Sequence, residues 1–290
     1  MLKFVSRHCA SRVLASSLLL LLSACGGGAS DFPPVVTGFK VQSAQYSRTA
    51  VIYIGGNDLR SSMTVDTGGA CTNPSFSSNS STSLLVLNCT LVKVGEVPVT
   101  VKDGNGNVVY QTTVTVPKPQ VTVATSSGDI TLELDPTAAP ITVTNFLNYV
   151  HSGYYTSTLF HRVIAGFVVQ GGGYTTGLLK KPGQTAPIVL ESNKGLSNLR
   201  GTIAMARLGD DPNDPVGSAN SATSEFFINL ADNTYLDYQT AKAPGYAVFG
   251  TVLQGMTVVD DIATQPTGTV GLAKNVPLTD VTITSATQIK

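Results

Sequence analysis

Phe160-His161-Arg162-Val163-Ile164-Ala165-Gly166-Phe167-Val168-Val169-Gln170-Gly171-Gly172 is the stretch on which the reading of this chain turns. It sets an always-charged guanidinium, a neighbouring imidazole, an aromatic ring and a primary amide close together in a mostly apolar, glycine-ended segment. Upstream, Pro140 suits the first residue of a helix, Val143, Phe146, Leu147 and Val150 follow at helical spacing, and Gly153 suits its end. Downstream lie Thr202-Ile203-Ala204-Met205-Ala206, Phe226-Phe227-Ile228-Asn229-Leu230 and Tyr246-Ala247-Val248-Phe249-Gly250, each short, apolar and bounded by turn residues. A second helix is expected near Met256 to Ala263, and Asp280 to Ile283 closes the set.

These segments, together with Asn145-Phe146-Leu147, occur in the order and spacing of cyclophilins, and the chain from 120 to 290 resembles that family throughout. The wording is closest to bacterial periplasmic members, notably in Ser221-Ala222-Thr223-Ser224 and Gly245 to Gly250. The resemblance implies an eight-stranded antiparallel β-barrel with two flanking α-helices, peptidyl-prolyl cis-trans isomerase activity, proline-containing polypeptides as substrates, and no metal or cofactor. Arg162 matches the family's catalytic Arg, and Gln170 the Gln that orients it. Phe167, Val168, Phe227 and Leu236 match the proline socket, with Val168 standing where Met is common. Ala206 and Arg207 fall where the family offers backbone contacts to the peptide. His161 reads as structural, because this isomerisation moves no proton.

Three departures from the family stand out. Glu225 replaces the usual Gln in the substrate site; a carboxylate there could pair bidentately with Arg162, competing with the prolyl nitrogen or holding the guanidinium in place. Tyr235 and Tyr246 stand where eukaryotic members carry Trp and His, so weak cyclosporin binding is expected. The loop Leu208 to Ala219 looks longer than in compact bacterial members, and either selects substrates or is a tolerated insertion. His151, near the expected helix end, reads as solvent-facing, where a positive charge would suit the C-terminus.

The rest of the 290 residues leaves room for a second domain. Charged residues are sparse at 12% with a net charge of +0, which argues against a nucleic-acid partner. Lys3, Arg7 and Arg12 precede an apolar stretch, Val13 to Leu22, too short for a comfortable membrane span. It ends in Leu22-Ser23-Ala24-Cys25, which resembles the lipobox of bacterial lipoproteins. The expected organisation is a signal peptide over 1–24, a lipidated tether over 25–34, a small immunoglobulin-like β-sandwich over 35–117 and the isomerase domain over 118–290. This makes a mainly β protein, held at the bilayer of a bacterial envelope through a lipid on Cys25. Gly26 after the Cys favours the outer membrane over the inner.

In the sandwich, short β-rich runs (50–54, 83–87, 97–101, 108–116) alternate with turn signals at 55–58, 67–69 and 103–107. Asp103-Gly104-Asn105-Gly106-Asn107 reads as a hairpin turn rather than a calcium loop, since position 114 is Val and not Glu. Export makes a Cys71–Cys89 disulfide the expected pairing. No residue identifies the sandwich's partner. Two readings compete with the surface-anchored isomerase: an envelope-anchored module that binds proline peptides with little turnover, and a structural lipoprotein in which the sandwich matters most.

Overall fold

The structure is a computed structural model that describes residues 32–290; the expected signal peptide and the expected lipid site at Cys25 lie outside the described residues. Residues 34–290 form one compact unit.

Its N-terminal part holds seven strands: β1 (Val35–Gln42), β2 (Thr49–Asn57), β3 (Thr64–Asp66), β4 (Cys71–Phe76), β5 (Leu84–Leu91), β6 (Gly95–Lys102) and β7 (Val108–Val116). They form two antiparallel sheets, β1-β2-β5-β4 and β3-β6-β7. Period-2 side chains send Ala50, Ile52 and Ile54 of β2 and Val97 and Val101 of β6 into one shared core. Gly55 and Gly56 were expected in a turn but lie inside β2. A Cβ on Gly56 would sit 2.1 Å from the Val35 carbonyl oxygen, so only glycine allows β1 to approach there. Residues 103–107 do make the β6–β7 turn. The Asp103 carboxylate accepts the Asn107 side-chain amide at 3.0 Å and the Asn105 and Asn107 backbone N–H groups at 2.9 and 2.8 Å, and these bonds hold its pKa below the usual range. Cys71 and Cys89 are bonded, and they join β4 to its neighbour β5 within one sheet. The bridge of antibody domains instead joins two sheets.

The C-terminal part runs β8 (Gln120–Thr125), β9 (Gly128–Leu134), α1 (Pro140–His151), β10 (Thr158–Leu159), β11 (Arg162–Ile164), β12 (Val168–Gly171), the hairpin β13 (Tyr174–Thr175) and β14 (Leu179–Lys180), β15 (Thr202–Met205), α2 (Pro215–Ala219), β16 (Phe226–Asn229), β17 (Val248–Gln254), α3 (Met256–Ala263), the hairpin β18 (Thr267–Val270) and β19 (Ala273–Pro277), and β20 (Thr282–Gln288). One curled sheet takes the order β10-β20-β8-β9-β17-β15-β16-β12-β11. Nine strands appear where eight were expected because residues 158–164 change partner midway. Thr158 and Leu159 pair with β20, Arg162 to Ile164 with β12. The two ends of the sheet are thus halves of one run, and the Gly172 N–H reaches the Leu159 carbonyl at 3.2 Å between them.

Helices α1 and α3 lie where expected, and α2 is a third, short one inside the 208–219 loop. Helix α1 buries Val143, Phe146, Leu147 and Val150 against the sheet. Its own N-cap, Ala139, supplies no side-chain bond. Glu191, fifty residues later in the chain, accepts the Ile141 and Thr142 N–H groups instead, at 3.2 and 2.8 Å.

The segment 117–119 is fastened rather than free. Lys118 pairs with Asp135 at 2.8 Å, and the Pro119 carbonyl accepts the Leu134 N–H. Tyr46, from the N-terminal part, is buried in the core cluster of the curled sheet and bonds Thr144 of α1 at 3.1 Å. Gln288 donates to the Tyr46 carbonyl and accepts from His151 Nε2 at 2.6 Å. His151 is therefore not solvent-facing. Burial lowers its pKa, the bond to Gln288 partly offsets this, and the Arg48 charge lowers it further. The net effect favours the neutral ring, against the expected cation at the helix end.

Candidate active site

Strands β15 and β16 are buried on both faces. Alternation explains how: Ile203, Met205, Phe226 and Ile228 point into the main core, whereas Ala204 and Phe227 join Val168 and Val248 in a second apolar cluster on the sheet's other face. Register then aligns the functional groups. Arg162 faces Gln170, Gln170 faces Phe227, Phe227 faces Ala204, and Ala204 faces Val248. Directly opposed residues share a face, so five strands contribute one continuous row.

A cleft of about 260 Å³ opens over this row, lined by Arg162, Phe167, Val168, Gln170, Ala206, Arg207, Phe227, Leu236 and Tyr246. The structure thus brings together nine of the expected site residues. Tyr235 lies at the rim, 66% exposed, with its ring stacked on Phe167 at 6.0 Å. The Ala206 N–H is taken by the Glu225 carbonyl at 2.9 Å and is not available to a peptide. Arg207 is a wall and not a free cation. Its side chain is 1% exposed, pairs with Asp210 at 2.8 Å, donates to the Gly245 and Leu208 carbonyls, and covers the Tyr246 ring. It thereby ties the 208–219 loop to the cleft edge.

Arg162 Nη1 donates to Gln170 Oε1 at 3.1 Å, its one hydrogen-bond partner among the described residues. The expected Arg162–Glu225 pair does not form, because Gln170 stands between them. Glu225 Oε2 instead accepts from Gln170 Nε2 at 3.0 Å and meets His161 Nε2 at 3.2 Å. Glu225 therefore lies behind the cleft rather than lining it. Burial raises its pKa, but the hydrogen bond and charge of His161, the bond from Gln170 and the charge of Lys180 together outweigh burial and hold it below the ordinary value.

The residues not foreseen are Ala204, Val248 and Leu196 around the apolar floor, and a buried amide network behind it. Asn233 donates to the Phe167 carbonyl at 3.0 Å and to Asn229 at 2.9 Å; Asn229 donates on to Asn198 and Thr202. Asn198 also binds Asp237, next to Leu236. These bonds set two walls of the cleft. The one sequence signal was Asn229 itself, a lone amide ending the apolar run Phe226 to Ile228. Among the described residues no group of three or more His, Cys, Asp or Glu could hold a metal ion.

Residues 120–288 match the family model described as cyclophilin type peptidyl-prolyl cis-trans isomerase. The peptidyl-prolyl cis-trans isomerase A of Dickeya dadantii is 48% identical over 170 residues, covering 59% of this chain and 84% of that protein. The peptidyl-prolyl cis-trans isomerase B of Escherichia coli is 44% identical over 169 residues, covering 58% of this chain and 98% of that protein. A crystal structure of a Cryptosporidium parvum cyclophilin in the presence of the dipeptide Ala-Pro aligns with a TM-score of 0.48 at 26% identity, covering 59% of this chain and 99% of that one.

Proposed function

Since this chain belongs to the cyclophilin-type peptidyl-prolyl cis-trans isomerases, we propose that it turns over X-Pro bonds in exported polypeptides, with Arg162 donating to the prolyl nitrogen of a twisted amide. Rotation about a peptide bond costs about 18–20 kcal/mol, because it breaks amide resonance. At the top of that barrier the nitrogen regains a lone pair, which the planar amide does not offer. A donor aimed at that lone pair stabilises the transition state and gives the ground state nothing equivalent.

The observation that carries this reading is the Arg162–Gln170 bond at 3.1 Å beside the apolar floor of Phe227. A proline ring seated over Phe227, Val168 and Phe167 would bring its nitrogen towards the guanidinium. An isomerase assay on a Pro-containing tetrapeptide tests it. Arg162→Ala is expected to lower kcat/KM roughly 100-fold or more, with peptide binding retained. An Arg162→Ala variant as active as wild type would overturn the mechanism. Peptide binding without turnover in the wild type would leave a binding module.

Two further expectations belong to the same proposal. The Leu22-Ser23-Ala24-Cys25 motif supports a lipid anchor on Cys25. Ten residues to β1 would hold the unit within about 35 Å of the bilayer surface, close to newly exported chains. The N-terminal sandwich then acts as a spacer or client contact. Cys25→Ala should move the protein from the membrane to the soluble fraction, and an unchanged distribution would exclude the anchor. Tyr235 and Tyr246 support weak cyclosporin binding, which calorimetry would contradict by showing tight binding.

A further inference from the structure

The seat of Glu225 is built for a carboxylate. A Cβ on Gly173 would lie 2.5–2.6 Å from the Glu225 Cγ, Cδ and Oε1 atoms, so the missing side chain at 173 is what makes room for the charge. On the other side stand only donors: Gln170 Nε2 at 3.0 Å and His161 Nε2 at 3.2 Å. Tyr174 packs its ring on His161 at 4.7 Å. Lys180, Tyr174 and Tyr154 are the other titratable groups whose fields meet Glu225.

We infer that Glu225 is a positioning residue that fixes the Gln170 amide, and through it Arg162, for the isomerisation. The inference rests on the Arg162 reading above. A terminal amide torsion is broad and two-fold, so a Gln left to itself samples two faces. Here both ends are determined. Arg162 has only donors and requires the Gln170 oxygen; an ionised Glu225 has only acceptors and requires the Gln170 nitrogen. The flipped amide would turn its NH₂ towards the guanidinium and its oxygen towards the carboxylate, losing both bonds. A Gln at 225 would satisfy the same geometry without the charge-assisted bond and could itself present either end. His161 completes the arrangement by donating to the same oxygen, Oε2, that Gln170 uses. Glu225 thus acts with the guanidinium, and does not compete for it.

The sign of the pH dependence follows from the lowered pKa of Glu225. The ordered amide is present above the ordinary carboxylate range and is lost only as pH falls through the lowered folded value. The test is kcat/KM by exchange NMR on a Pro peptide for Glu225→Ala, Glu225→Gln and Gln170→Ala, and for Glu225→Ala combined with Gln170→Ala, with Arg162→Ala as a separate arm. Glu225→Ala is expected to lower kcat/KM about tenfold, mainly through kcat, and Glu225→Gln two- to threefold. The Ala change should have no further effect once Gln170 is gone. The wild-type acid limb should be absent in Glu225→Gln, which keeps the hydrogen-bonding shape and guards against a folding defect in the Ala variant. Equal losses from Glu225→Ala with and without Gln170, or a Glu225→Gln variant faster than wild type, would overturn the inference. An active Arg162→Ala variant would instead overturn the reading beneath it.

Discussion

Strand β6 of the N-terminal part and strand β16 of the curled sheet are both antiparallel strands, yet only β16 borders the cleft. In β6 the buried Val97, Val99 and Val101 alternate with exposed or half-exposed neighbours. The strand has one face for the core and one for water. In β16 Phe226, Phe227, Ile228 and Asn229 are all buried. Its inner residues build the core, and the outer Phe227 builds a floor that stays reachable from solvent through the cleft. A strand that keeps an apolar outer face must cover it, and the cover here is the loop wall of Leu196, Leu236 and Tyr246. The site arises where a sheet has two apolar faces and one of them is only partly roofed.

The largest expected effect separates those faces within β16. Phe226 is 1% exposed and makes edge contacts to the Phe146, Tyr155 and Phe160 rings. Its replacement by Ala should destabilise the fold by roughly 3–5 kcal/mol, transfer and cavity terms together. Phe227→Ala opens onto the cleft, so solvent fills the gap and only the transfer term remains, roughly 1.5–3 kcal/mol. Activity should respond in the opposite order: Phe227→Ala should lose about 10- to 200-fold in kcat/KM through the missing proline contact, whereas folded Phe226→Ala should lose less. Urea titration and the isomerase assay read the two quantities, and equal activity losses would break the two-face account.

The next effect sharpens the contrast between the regions. Reducing Cys71–Cys89, which are 18 residues apart, should cost the sandwich about 3 kcal/mol by the chain-entropy estimate. At a temperature where the protein stays folded, isomerase activity should not change, because the bridge joins β4 to β5 and neither strand lines the cleft. A thermal melt with and without reductant, paired with the assay, checks both halves. A parallel loss of activity would show that the sandwich shapes the cleft.

The smallest effect concerns the junction. The pKa of His151 is lowered in the folded state, so its contribution is fully present above the ordinary imidazole value of about 6.5 and is lost as pH falls through the folded value. The wild-type Tm should therefore drop more between about pH 7 and pH 5 than that of His151→Gln, which cannot gain a charge beside Arg48. Parallel curves would place the junction's stability elsewhere, in Tyr46 and Gln288.

Much of the C-terminal part was legible because its motifs are contiguous. Pro140 and the 3.6-residue spacing to Val150 marked α1, and the apolar runs at 202–206 and 226–230 marked the strands that form the site. Gly55 and Gly56 misled, since a glycine that permits close approach of β1 looks in sequence like one that permits a turn. The partner of Glu225 was misread for a related reason. A carboxylate near an Arg in a motif suggests a pair, but the row register places Gln170 between them.

Through its resemblance to cyclophilins, the sequence by itself revealed the family, the reaction class and nine residues that line the cleft. That resemblance rests on motifs in fixed order and spacing along the chain, which can be read without the fold. Tertiary structure alone decided that Glu191 caps α1, that burial and the Arg48 charge lower the pKa of His151 beside Gln288, and that Glu225 meets Gln170 instead of gripping Arg162. Hydrogen bonds act over about 3 Å and weaken steeply with distance and angle. Which donor a carboxylate meets is therefore settled only when strands from distant parts of the chain lie in register.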